Sequence, residues 1–182
     1  MTRAWLTMVN GHQMTICWHV DDLKVSHKDE GAVTALALKL ASMYGEMTTI
    51  SRGKIHEYLG MDIDWLSDPG TMLVSMIKYL KKVIEEFPED IKSTRASPAG
   101  NHLFEVRADA DRKLLPEEQA QQFHRTVAQL LFLCKRARPD VEPLVAFLTT
   151  RVKEPDEDDW GKLRHGLQYL KGTLHMPHPP TI

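Results

Sequence analysis

The sequence predicts an α+β chain: antiparallel hairpins around one helix, then a helical bundle. Three observations carry this. Apolar residues alternate with polar ones from His12 to Val25 and again from Leu59 to Trp65, the period of half-buried strands. From Met76 onward they recur every three or four residues, the period of amphipathic helices. Turn and breaker residues separate the two regimes, as expected where element type changes. At 182 residues the chain is long enough to bury a real core.

The elements follow in order. Met14, Ile16, Trp18 and Val20 share one strand face; Leu23 and Val25 continue the pattern after "DD". This is a hairpin with aspartates at its turn. "DEGAVTALALKLASMYGEM" spaces Val33, Leu36, Leu40, Met43 and Met47 as one helix stripe, with Asp29 as N-cap and Gly45 as stop. "IHEYLGMDIDWL" reads as one alternating strand, "SDPG" as a turn and "TMLVSM" as the return strand. "SMIKYLKKVIEEF" puts Met76, Leu80, Val83, Ile84 and Phe87 on one helix face, and Pro88 ends it. Residues 88–115 show little periodicity and read as a long connection. Three more helices follow. Phe123, Val127, Leu130, Leu131 and Cys134 stripe the first; Val141, Leu144, Val145 and Leu148 the second; Trp160, Leu163, Leu167 and Leu170 the last, with Gly172 as its C-cap. The predicted boundaries are 1–75, 76–115, 116–175 and a frayed tail, 176–182.

Composition narrows the class. Lys and Arg number 23 against 25 Asp and Glu, a net charge of −2, so the whole chain lacks the basic excess of most nucleic-acid binders. Two cysteines, Cys17 and Cys134, make neither a disulfide framework nor a zinc pattern. No apolar run is long enough to span a membrane, and no signal-peptide layout is present. An intracellular protein without a membrane partner is expected, its oligomeric state open.

The chemistry-bearing candidates are few. Asp21 and Asp22, exposed at a hairpin tip, suit a hard cation such as magnesium; on local pattern alone they fit an ordinary turn. His12, His19 and His27 straddle that turn and read as strand histidines. Asp62 and Asp64 line the polar face of a strand. Lys135, Arg136 and Arg138 form a basic helix end that suits either a solvated cap or a phosphate backbone.

In order along the chain, "CWHVDDLKVSHKD", "EYLGMDIDW", "VSMIKYLKKVIEEF", "SPAG" and "FHRTVAQLLFLCKRARPDVEPLVAFLTTRVKEPDEDDWGKLRHGLQYLKGT" resemble the reverse transcriptase of copia-type retrotransposons. The resemblance implies a partial right-hand polymerase: palm hairpins with a helix over 1–75, then a helical thumb and connection. It implies Asp21 and Asp22 as catalytic, metal-binding carboxylates. His19, Val20, Leu59 and Gly60 would lie near the primer, the last two on a gripping strand. The complete enzyme would use Mg2+, a primer-template of RNA or DNA, and deoxynucleotides. Fingers and a further aspartate belong upstream of the hairpin in that family, and the 20 residues before Asp21 contain no Asp or Glu. A fragment inactive by itself is therefore expected. The alternatives are a decayed gene product or a non-catalytic nucleic-acid-binding remnant, holding the backbone through Lys135, Arg136, Arg138, Lys162, Arg164 and Lys171.

Overall fold

The computed structural model describes residues 3–45, 50–65 and 71–176. Met47, the "SDPG" turn at 67–70 and the tail from 177 fall outside them. The chain divides into two units, Met1–Leu59 and Gly60–Ile182.

The first unit opens with three antiparallel strands in the order β1 (Arg3–Val9), β2 (His12–His19), β3 (Asp22–Ser26). The alternation did not reveal β1. Its signal is "NG": Asn10 and Gly11 both take positive φ, 51° and 77°, the two-residue turn that right-twisted hairpins favour. Register then runs from Val9↔His12 to Arg3↔Trp18. The turn is fastened from below, since the Asn10 amide donates to Asp29 and His27 lies 3.1 Å from the Val9 carbonyl. Helix α1 (Glu30–Tyr44) follows, capped as expected: Asp29 accepts from the Gly31 amide at 2.8 Å, and Gly45 ends the helix at φ 89°. Strand β4 (Ile55–Tyr58) closes the unit. The apolar core here is thin. Met14 and Ala32 are the buried apolar side chains among the described residues, while Val33, Leu36 and Leu40 are half-buried and Met43 is exposed.

"IHEYLGMDIDWL" is two strands, not one. Leu59 and Gly60 take φ of 52° and 72° and form a turn between β4 and β5 (Met61–Trp65). A leucine in the left-handed region is uncommon, which is why alternation ran through it. In the second unit β5 pairs antiparallel with β6 (Met72–Ser75), from Asp62↔Ser75 to Trp65↔Met72. These strands go with the helices rather than with the first hairpin, against the boundary expected at residue 75. The cause is packing: Ile63 is buried, and Met61 and Val74 lie against the helical core.

Helices α2 (Ile77–Glu85), α3 (Glu117–Cys134), α4 (Glu142–Thr149) and α5 (Glu157–Gly172) build that core. The α2, α4 and α5 stripes are buried as spaced, except that Ile84 in α2 is only half-buried. In α3, Leu133 is buried and Leu131 exposed, so the end of the stripe is rotated from its expected position. At the α3–α4 corner Arg138 turns inward. Its guanidinium holds Asp140 through two bonds, 2.9 and 2.8 Å, and donates to the Thr173 carbonyl and hydroxyl; Tyr169 also donates to Asp140. One arginine thus ties the corner to the end of α5.

The aperiodic connection, 88–115, is ordered by α5. Trp160 and Arg164 donate to Glu89, Lys171 to the Ile91 carbonyl, Gln168 to Ser93 and Lys162 to the Glu105 carbonyl. Ile91 and Leu103 are buried beneath it. Gly172 is the last helical residue, not a left-handed cap. A Cβ there would lie 3.0 Å from the Thr94 Cβ, so its missing side chain admits the connection.

Candidate active site: the aspartate hairpin

Strand β2 ends at His19 and β3 begins at Asp22, so Val20 and Asp21 are the whole loop. Val20 sits at φ 48°. Left-handed backbone costs a non-glycine residue roughly 1–2 kcal/mol, and β-branching makes it rarer still. Two contacts hold it there. His19 and Asp22 form the final pair of the ladder, and the Trp18 indole N–H donates to the Val20 carbonyl at 2.6 Å. Asp21 and Asp22 are both exposed at the tip. Strained backbone held by its surroundings is characteristic of functional loops.

The sequence reading missed Trp18, whose indole reaches two residues forward to the turn. Replacing Trp18 with Phe removes one donor, worth about 1 kcal/mol. Amide exchange at Asp21 and Asp22 should accelerate about fivefold; unchanged exchange would show that the indole does not hold the turn.

Cross-strand register sets Asp22, Lys24 and Cys17 on one face, with Cys17 directly opposite Lys24. Burial lowers the Lys24 pKa, while Cys17 beside it acts in the opposite sense. The Tyr58 hydroxyl is buried with no hydrogen-bond partner among the described residues; burial first, then Cys17 and Asp22, raise its pKa. The turn thus stands on a half-buried, mixed-polarity floor.

The donor set falls short of a metal cage. Among the described residues no group of three His, Cys, Asp or Glu side chains could hold an ion. Asp21 and Asp22 supply two carboxylates, and a two-ion site needs further ligands. His12 and His27 form an edge-on ring pair, centroids 6.3 Å apart, and hold no common centre with His19. Asp62 pairs with Lys78 at 3.2 Å.

Leu59 and Gly60 occupy the β4–β5 turn rather than a strand, at the junction of the two units. The six basic candidates are each engaged within the chain. Lys135 pairs with Glu142; Arg136 lies over the Phe132 ring, 3.6 Å from its centroid; Arg138 is buried. Lys162 pairs with Asp158 at 2.9 Å, Arg164 with Glu89 at 3.1 Å, and Lys171 with the Ile91 carbonyl. Sequence spacing shows the Lys162–Asp158 pair, four residues apart on one helix, but not the partners Glu89 and the Ile91 carbonyl, which lie in the aperiodic connection.

No helix among the described residues is long and apolar enough to cross a membrane. No family model matches the chain, and no solved structure does. Three curated proteins are similar. The retrovirus-related Pol polyprotein from transposon TNT 1-94 of Nicotiana tabacum is 25% identical over 162 residues, covering 85% of this chain and 12% of that protein. The putative transposon Ty5-1 protein of Saccharomyces cerevisiae is 26% identical over 163 residues, 88% of this chain and 50% of its own length. An uncharacterized mitochondrial protein of Arabidopsis thaliana is 23% identical over 162 residues, 88% of this chain and 62% of its own length. This chain therefore spans an eighth to three-fifths of these relatives, and at low identity it is related to retrotransposon polyproteins.

Proposed function

We propose that this chain is the part of a retrotransposon reverse transcriptase that carries the catalytic aspartate hairpin and the helical bundle following it. The observation that supports this most is the hairpin: two exposed carboxylates presented by a strained Val20 that Trp18 fastens. The similarity to a Pol polyprotein from a transposon agrees with it. In this reading Asp21 is the chief carboxylate toward the metal ions and Asp22 its neighbour, while His19 and Val20 shape the turn beside the primer end. Leu59 and Gly60 approach the primer as a turn. Magnesium, primer-template and deoxynucleotides are ligands of the whole enzyme, and two carboxylates alone do not assemble its cage.

The 182-residue chain should extend no primer above the level of its Asp21→Asn variant. Fused behind a fingers region with an additional palm carboxylate, it should polymerise, and Asp21→Asn should lower incorporation at least about 100-fold, the scale of losing a principal electrostatic group. A fusion that extends primers equally well with Asp21→Asn would sink the reading.

A further inference from the structure

We propose that β1 is a self-pairing edge through which two copies of this chain join their first sheets into one. Val9 and His12 flank a two-residue turn, so they exchange both ladder hydrogen bonds. Antiparallel ladders alternate. Arg3, Trp5, Thr7 and Val9 therefore bond to β2, and the backbone groups of Ala4, Leu6 and Met8 point outward. Among the described residues no strand pairs with that side of β1.

Exposed edges are usually blunted by an inward charge, a proline or a bulge. β1 carries none of these along its seven residues, and its one charge is Arg3 at the end. Leu6 and Met8 are 65% and 66% exposed. Two-fold antiparallel pairing centred on Leu6 sets Leu6 against Leu6 of the second copy, and Ala4 against its Met8 in both directions. All three outward residues then bond in pairs, about six hydrogen bonds in total by the alternation, and one face gains an unbroken apolar row. Arg3 falls opposite Val9, so the two guanidinium groups stand at opposite ends.

The other open edge fails the same test. Five-residue β3 centres on Lys24, and two-fold pairing there would oppose lysine to lysine, which is unfavourable. A symmetric partner fits β1 because the strand is its own complement. One strand pair buries less than the roughly 1,200 Å² of a standard interface, so a dissociation constant of tens of micromolar, about −6 kcal/mol, is expected.

Sedimentation velocity of the full chain, from about 1 to 300 µM, reads this directly on the affinity scale above. The weight-average mass should climb from 20.8 kDa toward twice that value. Leu6→Lys and Leu6→Glu should each abolish the rise, and an equal mixture of the two should restore it, because opposite charges then meet at the centre. That rescue also shows both variants folded. Leu38→Lys, which removes an equally exposed leucine from α1, should leave association intact. A chain monomeric throughout, a dimer that survives Leu6→Lys, no rescue on mixing, or equal loss with Leu38→Lys would each overturn the proposal.

Discussion

Replacing Gly166 with Val should cost the helical unit about 2–3 kcal/mol. Gly166 lies where α5 crosses α4. A Cβ there would fall 2.2 Å from the Leu144 Cδ2. Leu144 is buried, and its Cδ2 can yield only toward the cavity it lines with Leu103 and Gly161. Overpacking a filled core typically costs about 1–3 kcal/mol and at times more. Gly166→Ala sets this against roughly 1 kcal/mol of gained helix propensity, so a net loss of about 1–2 kcal/mol is expected. Urea unfolding followed by far-ultraviolet circular dichroism reports on it, since four of the five described α-helices lie in this unit. Leu144→Ala combined with Gly166→Ala should destabilise less than the sum of the two single changes. A Gly166→Ala chain as stable as the parent would show that α4 and α5 separate at little cost.

Asp156→Ala is expected to be comparably severe, for an electrostatic reason. Asp156 caps α5, accepting from the amides of Asp158 and Asp159 at 2.9 Å, while its own N–H donates to Asp159 at 3.1 Å. Arg112 and Arg151 close around it, 3.5 and 3.9 Å away. Losing a cap costs about 1 kcal/mol. The lost charge adds to this, although neither guanidinium is left unpaired: Arg112 keeps Asp109 at 3.4 Å and Arg151 keeps Asp159 at 3.1 Å. Asp156→Asn keeps the cap and removes the charge, so it should fall between. Burial works to raise the Asp156 pKa, but the amides of Asp159 and Asp158, then Arg151 and Arg112, hold it below the ordinary value. Its folded pKa thus lies below the unfolded one, about 3.9. The stability it contributes is complete above that pH and lost as pH falls through the lower, folded value. Asp156→Ala should flatten the acid branch of the stability profile. A variant with the parent's acid dependence would assign that branch to other carboxylates.

What could be read from the amino acids follows from the range of the forces involved. The α2, α4 and α5 stripes were legible because each depends on one period and one buried face. The cap at Asp29 is local and equally plain; the one at Asp156 was not named, though its signal, an aspartate three residues before Asp159, is as local. The hairpin was legible, but its turn lies one residue earlier than "DD", at Val20 and Asp21, with Asp22 already in β3; family resemblance pointed to its chemistry. Its strain was not, because Val20 is an improbable residue for left-handed backbone and only the Trp18 bond reveals what holds it. Leu59 concealed the β4–β5 turn for the same reason. Gly172 suggested a cap by position, whereas its purpose is set by Thr94, far away in sequence. The partners of Arg164 and Lys171 could not be read, because Glu89 and the Ile91 carbonyl lie in a segment without periodic signal.

The straps between α5 and the connection bear on the order in which this molecule is made. Each joins residues 57 to 80 positions apart. Closing so long a loop is slow relative to forming a helix. Residues 88–115 leave the ribosome well before α5 and must wait for it with Ile91 and Leu103 uncovered. Until the last helix arrives, that stretch is where a nascent chain is open to proteases and chaperones, and afterwards its apolar anchors, Ile91 and Leu103, are covered.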